Sequence, residues 1–375
     1  MQKLLIILVT LLVAHSIFAQ TQHSHAFGRA IQFPDVPGYK TLKCDFHIHT
    51  VFSDGSVWPD IRVQEAMRDS LDAISLTEHI EYQPHLVDIP HPDRNRSYEI
   101  AKQIALPYDK LLVVRGSEIT RSMPPGHNNA IFIEDANKLQ IKDSVEVFRE
   151  AKRQGAFVFW NHPNWVAQRK DGMATMTETN RYLIQQGLLH GIEVVNDLTY
   201  SDEALQIALD YNLTIMGTSD IHGLVDWQYQ VPEGGHRPIT LVFATDKTPE
   251  AIKDALMNRR TVAYFNNTLI GREPYLVPLI EASLKVQKAN YQGISSVVDV
   301  VVENISDTPY ILANESPYTF HADIDIITVL PHTTTTIQVK TLEQLSEFEL
   351  PFRVLNGVTA PKTHPKIALK IKTDK

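Results

Sequence analysis

A barrel-like α/β domain followed by a small antiparallel β-sandwich is the architecture expected of this chain, on two observations. Between residues 41 and 271, short apolar runs rich in β-branched residues alternate with stretches whose apolar positions recur at helical spacing. From about residue 273 the helical stretches stop, and apolar and polar residues alternate one by one, as in antiparallel strands with one buried face.

In chain order, LKCDFHI, DAISLTEH, KLLVVRGSEI, NNAIFI, AFVFWNHP, GIEVVN, LTIMGTSD and ITLVFA read as buried strands bounded by turn signals. Between them PDIRVQEAMRDS, SYEIAKQIAL, SVEVFREAKRQG, TETNRYLIQQG, DEALQIALDYN and TPEAIKDALMNR read as helices. Pro59 suits a first helical position, and Gly155 and Gly187 suit helix stops. Alternation of this kind implies parallel strands covered by helices, in a number that suits a barrel over residues 41–271. The segments SVVDVVVENI, YTFHADIDIITV, TTTTIQVKT and FRVLNGVT then predict a β-sandwich over residues 273–375.

Composition narrows the function. The 375 residues carry a formal net charge of -9, which disfavours long nucleic acid or an anionic lipid surface as partner. Residues 1–20 open with Lys3, continue through an apolar run interrupted by His15 and reach Ala19, the pattern of a secretory signal peptide. The run is too short to span a bilayer, so no stable membrane insertion is expected after cleavage, and the chain should be periplasmic or secreted. Residues 21–40 read as a polar N-terminal extension. Cys44 is the sole cysteine, which excludes an internal disulfide.

The informative residues sit at strand ends. His47 and His49 end the first strand and Asp54 follows in HTVFSDG; His79 ends the second; Glu118 closes the third; His127 opens the next segment. His162 ends another strand, and Asp220 and His222 another. In parallel α/β barrels these ends converge on one face, where catalytic groups gather. A single pattern of this kind would prove little: His23 and His25 form another HxH in the polar extension, with no strand to aim them. Lone strand-end histidines are as a rule structural, and lone acids are helix caps or ion-pair partners. Nine donors in one mouth, however, would suffer repulsion and desolvation unless cations compensated them. Mixed imidazole and carboxylate donors suit manganese, iron or zinc. Their number exceeds what one ion takes, so two or three divalent ions are expected, with Glu118 spanning two of them.

These residues resemble the polymerase and histidinol phosphatase (PHP) superfamily of metal-dependent phosphoesterases. The likeness runs through DFHIHTVFSDG, LTEH, GSEIT, GHNNAIFI, NHP and SDIH, with a family-like closing segment at NRRTVAYF. It implies a distorted (βα)7 barrel and metal ligation by His47, His49, Asp54, His79, Glu118, His127, His162, Asp220 and His222. Glu78 stands where the family commonly has Asp, one position before the ligand His79. The signal pattern and appended β domain are similar to an exported bacterial phosphodiesterase branch.

The expected reaction is attack on phosphorus by a hydroxide bridging two ions, with Asp220 or His222 handling a proton. The substrate expected is a small organic or nucleotide-derived phosphodiester. Arg94, Arg96 and Arg121 could grip phosphate oxygens bidentately, Arg121 being favoured because it follows Glu118 by three residues. His85 and His91 lie in the loop after the second strand, where they could meet substrate. Three alternatives stay open: a phosphomonoesterase on the same scaffold, an amidohydrolase-type carbonyl hydrolase, and a metal-binding protein without turnover.

Overall fold

The computed structural model describes residues 30–373; the expected signal peptide, the His23/His25 pair and most of the N-terminal extension lie outside them. Eight strands form where the apolar runs predicted them: β1 (Lys40–Asp45), β2 (Ala73–Leu76), β3 (Leu112–Ile119), β4 (Asn128–Ile131), β5 (Phe157–Trp160), β6 (Gly191–Asn196), β8 (Thr214–Thr218) and β9 (Ile239–Ala244), with the short β7 (Thr199–Tyr200) between β6 and β8. Helices α1 (Pro59–Arg68), α2 (Arg96–Ala105), α3 (Glu146–Arg153), α4 (Glu178–Gln185), α5 (Asp202–Asp210), α6 (Val225–Gln228) and α7 (Pro249–Met257) lie between them. Their starts obey elementary capping: Ser201 Oγ accepts from Ala204 N at 3.1 Å and Thr248 Oγ1 from Ala251 N at 3.2 Å.

The strands join one curled sheet whose main path runs β9, β1, β2, β3, β4, β5, β6, with β8 added beside β6. It is mixed rather than wholly parallel, because β4 runs antiparallel to both β3 and β5 and β9 antiparallel to β1. Closure of the barrel relies on threonine hydroxyls. Thr240 Oγ1 accepts from Gly217 N at 3.0 Å and donates to Gly217 O at 2.8 Å, tying β8 to β9. Thr261, which opens β10 (Thr261–Phe265), donates from Oγ1 to Ile215 O at 2.8 Å. Gly217 is required there: a Cβ would lie 2.8 Å from Ala263 Cβ and 3.0 Å from Ile239 O.

After β11 (Thr268–Gly271) the chain forms α8 (Glu273–Ser283), where the sequence pattern had suggested the β texture to begin. Pro274 sits in its first turn, where no N–H is needed, but Pro278 inside it hides the helical signal. The remaining strands are β12 (Leu284–Tyr291), β13 (Val297–Asn304), β14 (Tyr310–Asn314), β15 (Thr319–Phe320), β16 (Ile326–Val329), β17 (Thr334–Lys340), β18 (Glu347–Val354), β19 (Gly357–Val358) and β20 (Lys366–Lys372). They build two four-stranded antiparallel sheets, β12-β13-β17-β15 and β16-β14-β18-β20. Strict alternation of burial along β13 and β18 places one face of each sheet in a common core. The exception is β19, which leaves the sandwich and pairs in parallel with β11 of the barrel, Leu269 opposite Gly357. One apolar cluster runs without interruption from Val63 and Leu241 in the barrel, through Leu276 and Leu279 of α8, to Val300 and Leu350 in the sandwich.

Candidate metal centre

The strand ends deliver the donors by backbone pairing. Ile48 and Ile221 form a parallel bridge, with Asp220 N donating to His47 O at 2.8 Å and His49 N to Ile221 O at 3.1 Å, so HIH and SDIH lie side by side. His79 and Glu118 form a second bridge at the ends of β2 and β3. His127 precedes β4, and because β4 runs backwards its start lies at the rim where β3 and β5 end; Asn161 N donates to His127 O at 3.0 Å. His162 and Asp220 adopt positive φ, 28° and 49°, which turns the chain sharply just past the ends of β5 and β8.

The nine expected donors form one connected cluster, with five imidazoles around Glu118. Its Oε2 lies 3.5 Å from His47 Nε2, 3.3 Å from His49 Nε2 and 2.9 Å from His79 Nδ1. Its Oε1 lies 2.8 Å from His127 Nδ1 and 3.8 Å from His162 Nε2, so the two oxygens of one carboxylate face different imidazole sets. Asp220 repeats the pattern: Oδ1 is 3.0 Å from His47 Nε2 and 3.1 Å from His49 Nε2, and Oδ2 is 4.0 Å from His162 Nε2. Asp54 gathers a third set, 3.1 Å from His222 Nε2 and 3.3 Å from His79 Nε2.

The donor set fits divalent ions. Glu118 Oε2, Asp54 Oδ1, His127 Nδ1 and His162 Nδ1 are buried without a hydrogen-bond partner among the described residues; the short approach of His127 to Glu118 is not aligned for one. Such atoms are costly unless a ligand satisfies them. The electrostatics agree. Burial opposes charge on His47, yet Asp220, Glu193 and Glu118 hold the imidazole well above its usual range, and Glu118 and Asp54 raise His79 to about 11 despite its burial. Burial likewise opposes charge on Glu118 and Asp220, yet the surrounding imidazoles hold both below the usual carboxylate range. The cluster draws positive charge inward, which divalent ions supply in place of protons.

Several supporting residues carried no motif. Glu193, buried in β6, accepts from His47 Nδ1 at 2.7 Å, Thr218 Oγ1 at 2.6 Å, His162 N at 2.6 Å and Asn196 Nδ2 at 2.9 Å. It fixes the His47 tautomer, leaving Nε2 facing the cluster, as carboxylates behind metal-bound histidines do. Asp45 accepts from Ser219 Oγ at 2.5 Å and is paired with the buried Arg237 at 3.3 Å, anchoring the segments that carry His47 and Asp220. Ser53 Oγ lies 3.2 Å from His49 Nδ1 and donates to Glu78 Oε2 at 2.5 Å, so Glu78 fills an anchoring place behind the ligands. The available signal was a carboxylate inside an otherwise apolar strand, as in GIEVVN and LKCDFHI.

A cavity of about 460 Å³ opens beside the donors, lined further by Asn164, Trp165, Asn196, Asp197 and Gln228. The expected phosphate-gripping residues are not brought to it. Arg121 is held by Glu81 at 2.6 Å and by the carbonyl of Ile141. Arg94 lies in the loop that packs on Asn137, where burial lowers its guanidinium. Arg96 opens α2 on the exposed side. His85 caps a turn through its carbonyl, and His91 is buried against Gln83 and the ring of Phe52.

Comparison with solved structures turns on one protein: a two-domain protein from Bacteroides vulgatus ATCC 8482 containing a predicted PHP-like metal-dependent phosphoesterase. It is 44% identical, with 91% of this chain and 98% of that one covered and a TM-score of 0.85. This chain belongs to the PHP-like metal-dependent phosphoesterase family. A putative metal-dependent phosphoesterase from Bifidobacterium adolescentis ATCC 15703 is 18% identical over 48% of this chain and 88% of that one, with a TM-score of 0.39. An amidohydrolase from Chromobacterium violaceum is 16% identical over 48% and 87%, with a TM-score of 0.35. Likeness that weak bears on neither fold nor function. The family model DUF5001, an Ig-like domain, matches residues 284–370 of this PHP-like protein, the span of its sandwich. No curated protein matches the chain.

Proposed function

We propose that this PHP-like protein hydrolyses a small phosphodiester on two or three divalent ions, and that it does so outside the cytoplasm. The observation that carries the reading is the placement of Glu118 and Asp220, each presenting its two oxygens to different imidazole sets. Carboxylates so placed would hold divalent ions between these imidazole sets. The donors divide into His47, His49, Glu118 and Asp220; Glu118, His127 and His162; and Asp54, His79 and His222. Manganese, iron and zinc suit such mixed nitrogen and oxygen sets. Ions bound there supply Lewis acidity at the phosphoryl oxygens and lower the pKa of water.

The chain's own residues do the rest. His222 donates from Nδ1 to Asp220 O at 2.7 Å, which leaves Nε2 directed to the cluster. With 40% of its side chain exposed, it closes the open side of the cluster beside Asp54. Asn161 Nδ2 donates to Glu118 Oε1 at 3.0 Å and keeps that carboxylate oriented. Preference for a diester over a monoester is supported by the cavity wall, where no lysine or arginine stands among the described residues. A monoester would bring a second negative charge, with no side-chain cation beyond the ions to meet it. The apolar run of residues 1–20 supports export.

The test is elemental analysis of the purified protein paired with turnover of bis(p-nitrophenyl) phosphate and p-nitrophenyl phosphate after loading with manganese, iron or zinc. The diester should be hydrolysed and the monoester poorly. Metal-loaded protein inert toward both would refute the reading, and preferential hydrolysis of the monoester would refute the diester assignment.

A further inference from the structure

Outside the nine donors, the cavity wall carries one more ionisable side chain among the described residues, Asp197. It is held firmly. Its N–H donates to Thr218 O at 3.1 Å, its φ is 50°, and its Oδ1 accepts from Gln228 Nε2 and from the Tyr229 hydroxyl at 3.3 Å. Asp is among the residue types that adopt this left-handed conformation readily, and these bonds keep its carboxylate at the cavity rim.

The neighbouring amides have their orientation settled by what they donate to. Asn196 Nδ2 donates to Glu193 at 2.9 Å and to Asp220 at 3.3 Å, and Gln228 Nε2 donates to Asp197. Carboxylates accept only, so in both amides the nitrogen is the atom turned toward them. Asn196 Oδ1, Gln228 Oε1 and the second oxygen of Asp197 are left without a partner among the described residues. This part of the wall therefore offers three acceptors. Beside it Trp165 is 44% exposed, and its ring packs against His162 and His127 with centroids 5.2 Å and 5.6 Å away.

A carboxylate in the binding cavity of an anionic substrate repels that substrate unless it receives a cation. Three acceptors match the three N–H donors of a primary ammonium, and an indole face attracts the same charge. Resting on the phosphodiesterase reading above, we propose that one ester group of the substrate is a short amino alcohol, whose ammonium is received by Asp197, Asn196 and Gln228 beside Trp165.

Three p-nitrophenyl diesters that differ only at the tip of the second group test this: 2-aminoethyl, 2-hydroxyethyl and propyl p-nitrophenyl phosphate. Metal-loaded protein should show kcat/KM for the aminoethyl ester at least about tenfold above that for the propyl ester, the discrimination expected of hydrogen bonds to a charged group. The hydroxyethyl ester should fall between them. In D197N, whose asparagine tolerates the left-handed backbone, the ratio should drop to near unity. Calorimetric titration with the slowly hydrolysed 2-aminoethyl methyl phosphate and propyl methyl phosphate should give the same order without turnover. Equal rates, a preference for the hydroxyethyl or propyl ester, or an unchanged ratio in D197N would overturn the proposal while leaving the phosphodiesterase reading intact. Absence of turnover for all three esters and for bis(p-nitrophenyl) phosphate would overturn both.

Discussion

Replacing Glu193 by Gln tests whether the carboxylate behind His47 governs metal affinity. Glu193 is fully buried and each of its oxygens accepts two hydrogen bonds, from His47 Nδ1 and Thr218 Oγ1 on one side and His162 N and Asn196 Nδ2 on the other. Glutamine preserves the shape but turns one acceptor into an amide donor, which must then face two donors. If the amide faces His47, the ring loses the partner that holds Nδ1–H and directs Nε2 at the ions. If it faces His162 N, the backbone carrying another ligand is displaced. Removing a carboxylate of this kind typically weakens metal binding about 10- to 100-fold, or about 1.4–2.7 kcal/mol. The fold should lose on the order of 1–3 kcal/mol from the unsatisfied donors. Competition with a chromophoric chelator would give the metal affinity of E193Q, and urea denaturation of the metal-free protein would give the stability term separately. Metal affinity within about twofold of the parent would refute the reasoning.

Gly217→Ala should destabilise the protein by about 1–3 kcal/mol by forcing β8 away from Ala263 and Ile239, and should loosen the neighbouring Asp220; chemical denaturation with a metal-affinity measurement would show both losses, and a fully stable variant would contradict the close approach. His190, whose Nδ1 accepts from Val158 N at 3.0 Å, is pushed down to about 4, first by burial and also by Lys152 and Lys253. Because its folded pKa lies below the unfolded value, its contribution is complete above about pH 6.5 and is lost as pH falls toward 4, up to about 3 kcal/mol. Denaturation curves between pH 7 and 4.5 should therefore be flatter for His190→Asn than for the parent, and parallel curves would count against the assignment.

The candidate metal centre was legible in the sequence because most of its donors sit at or near the end of a strand, and strand ends are what apolar periodicity locates best. His127 begins β4 rather than ending a strand, yet the reversed course of β4 returns it to the same rim. Substrate contacts fared differently. Arg121 follows Glu118 closely in sequence, but whether a loop arginine meets the cavity depends on which carboxylate reaches it first, and Glu81 does. Glu193 and Asp45 were hidden because a charge inside an apolar run signals burial without naming its partner. Asp197 and Trp165 come together through the folding of separate loops, which no local pattern encodes.

The two residues of β19 carry a consequence out of proportion to their length. By lying along β11 they occupy backbone groups that would otherwise offer a template for intermolecular strand addition. Asn356 adds to the seal, donating to the carbonyls of Asn267 and Pro309 at 2.8 Å and 2.6 Å. With the apolar interior also continuous across α8, the catalytic half and its appendage should melt together as one cooperative body. A truncation meant to isolate the barrel would leave a sticky, half-finished sheet rather than a smaller enzyme.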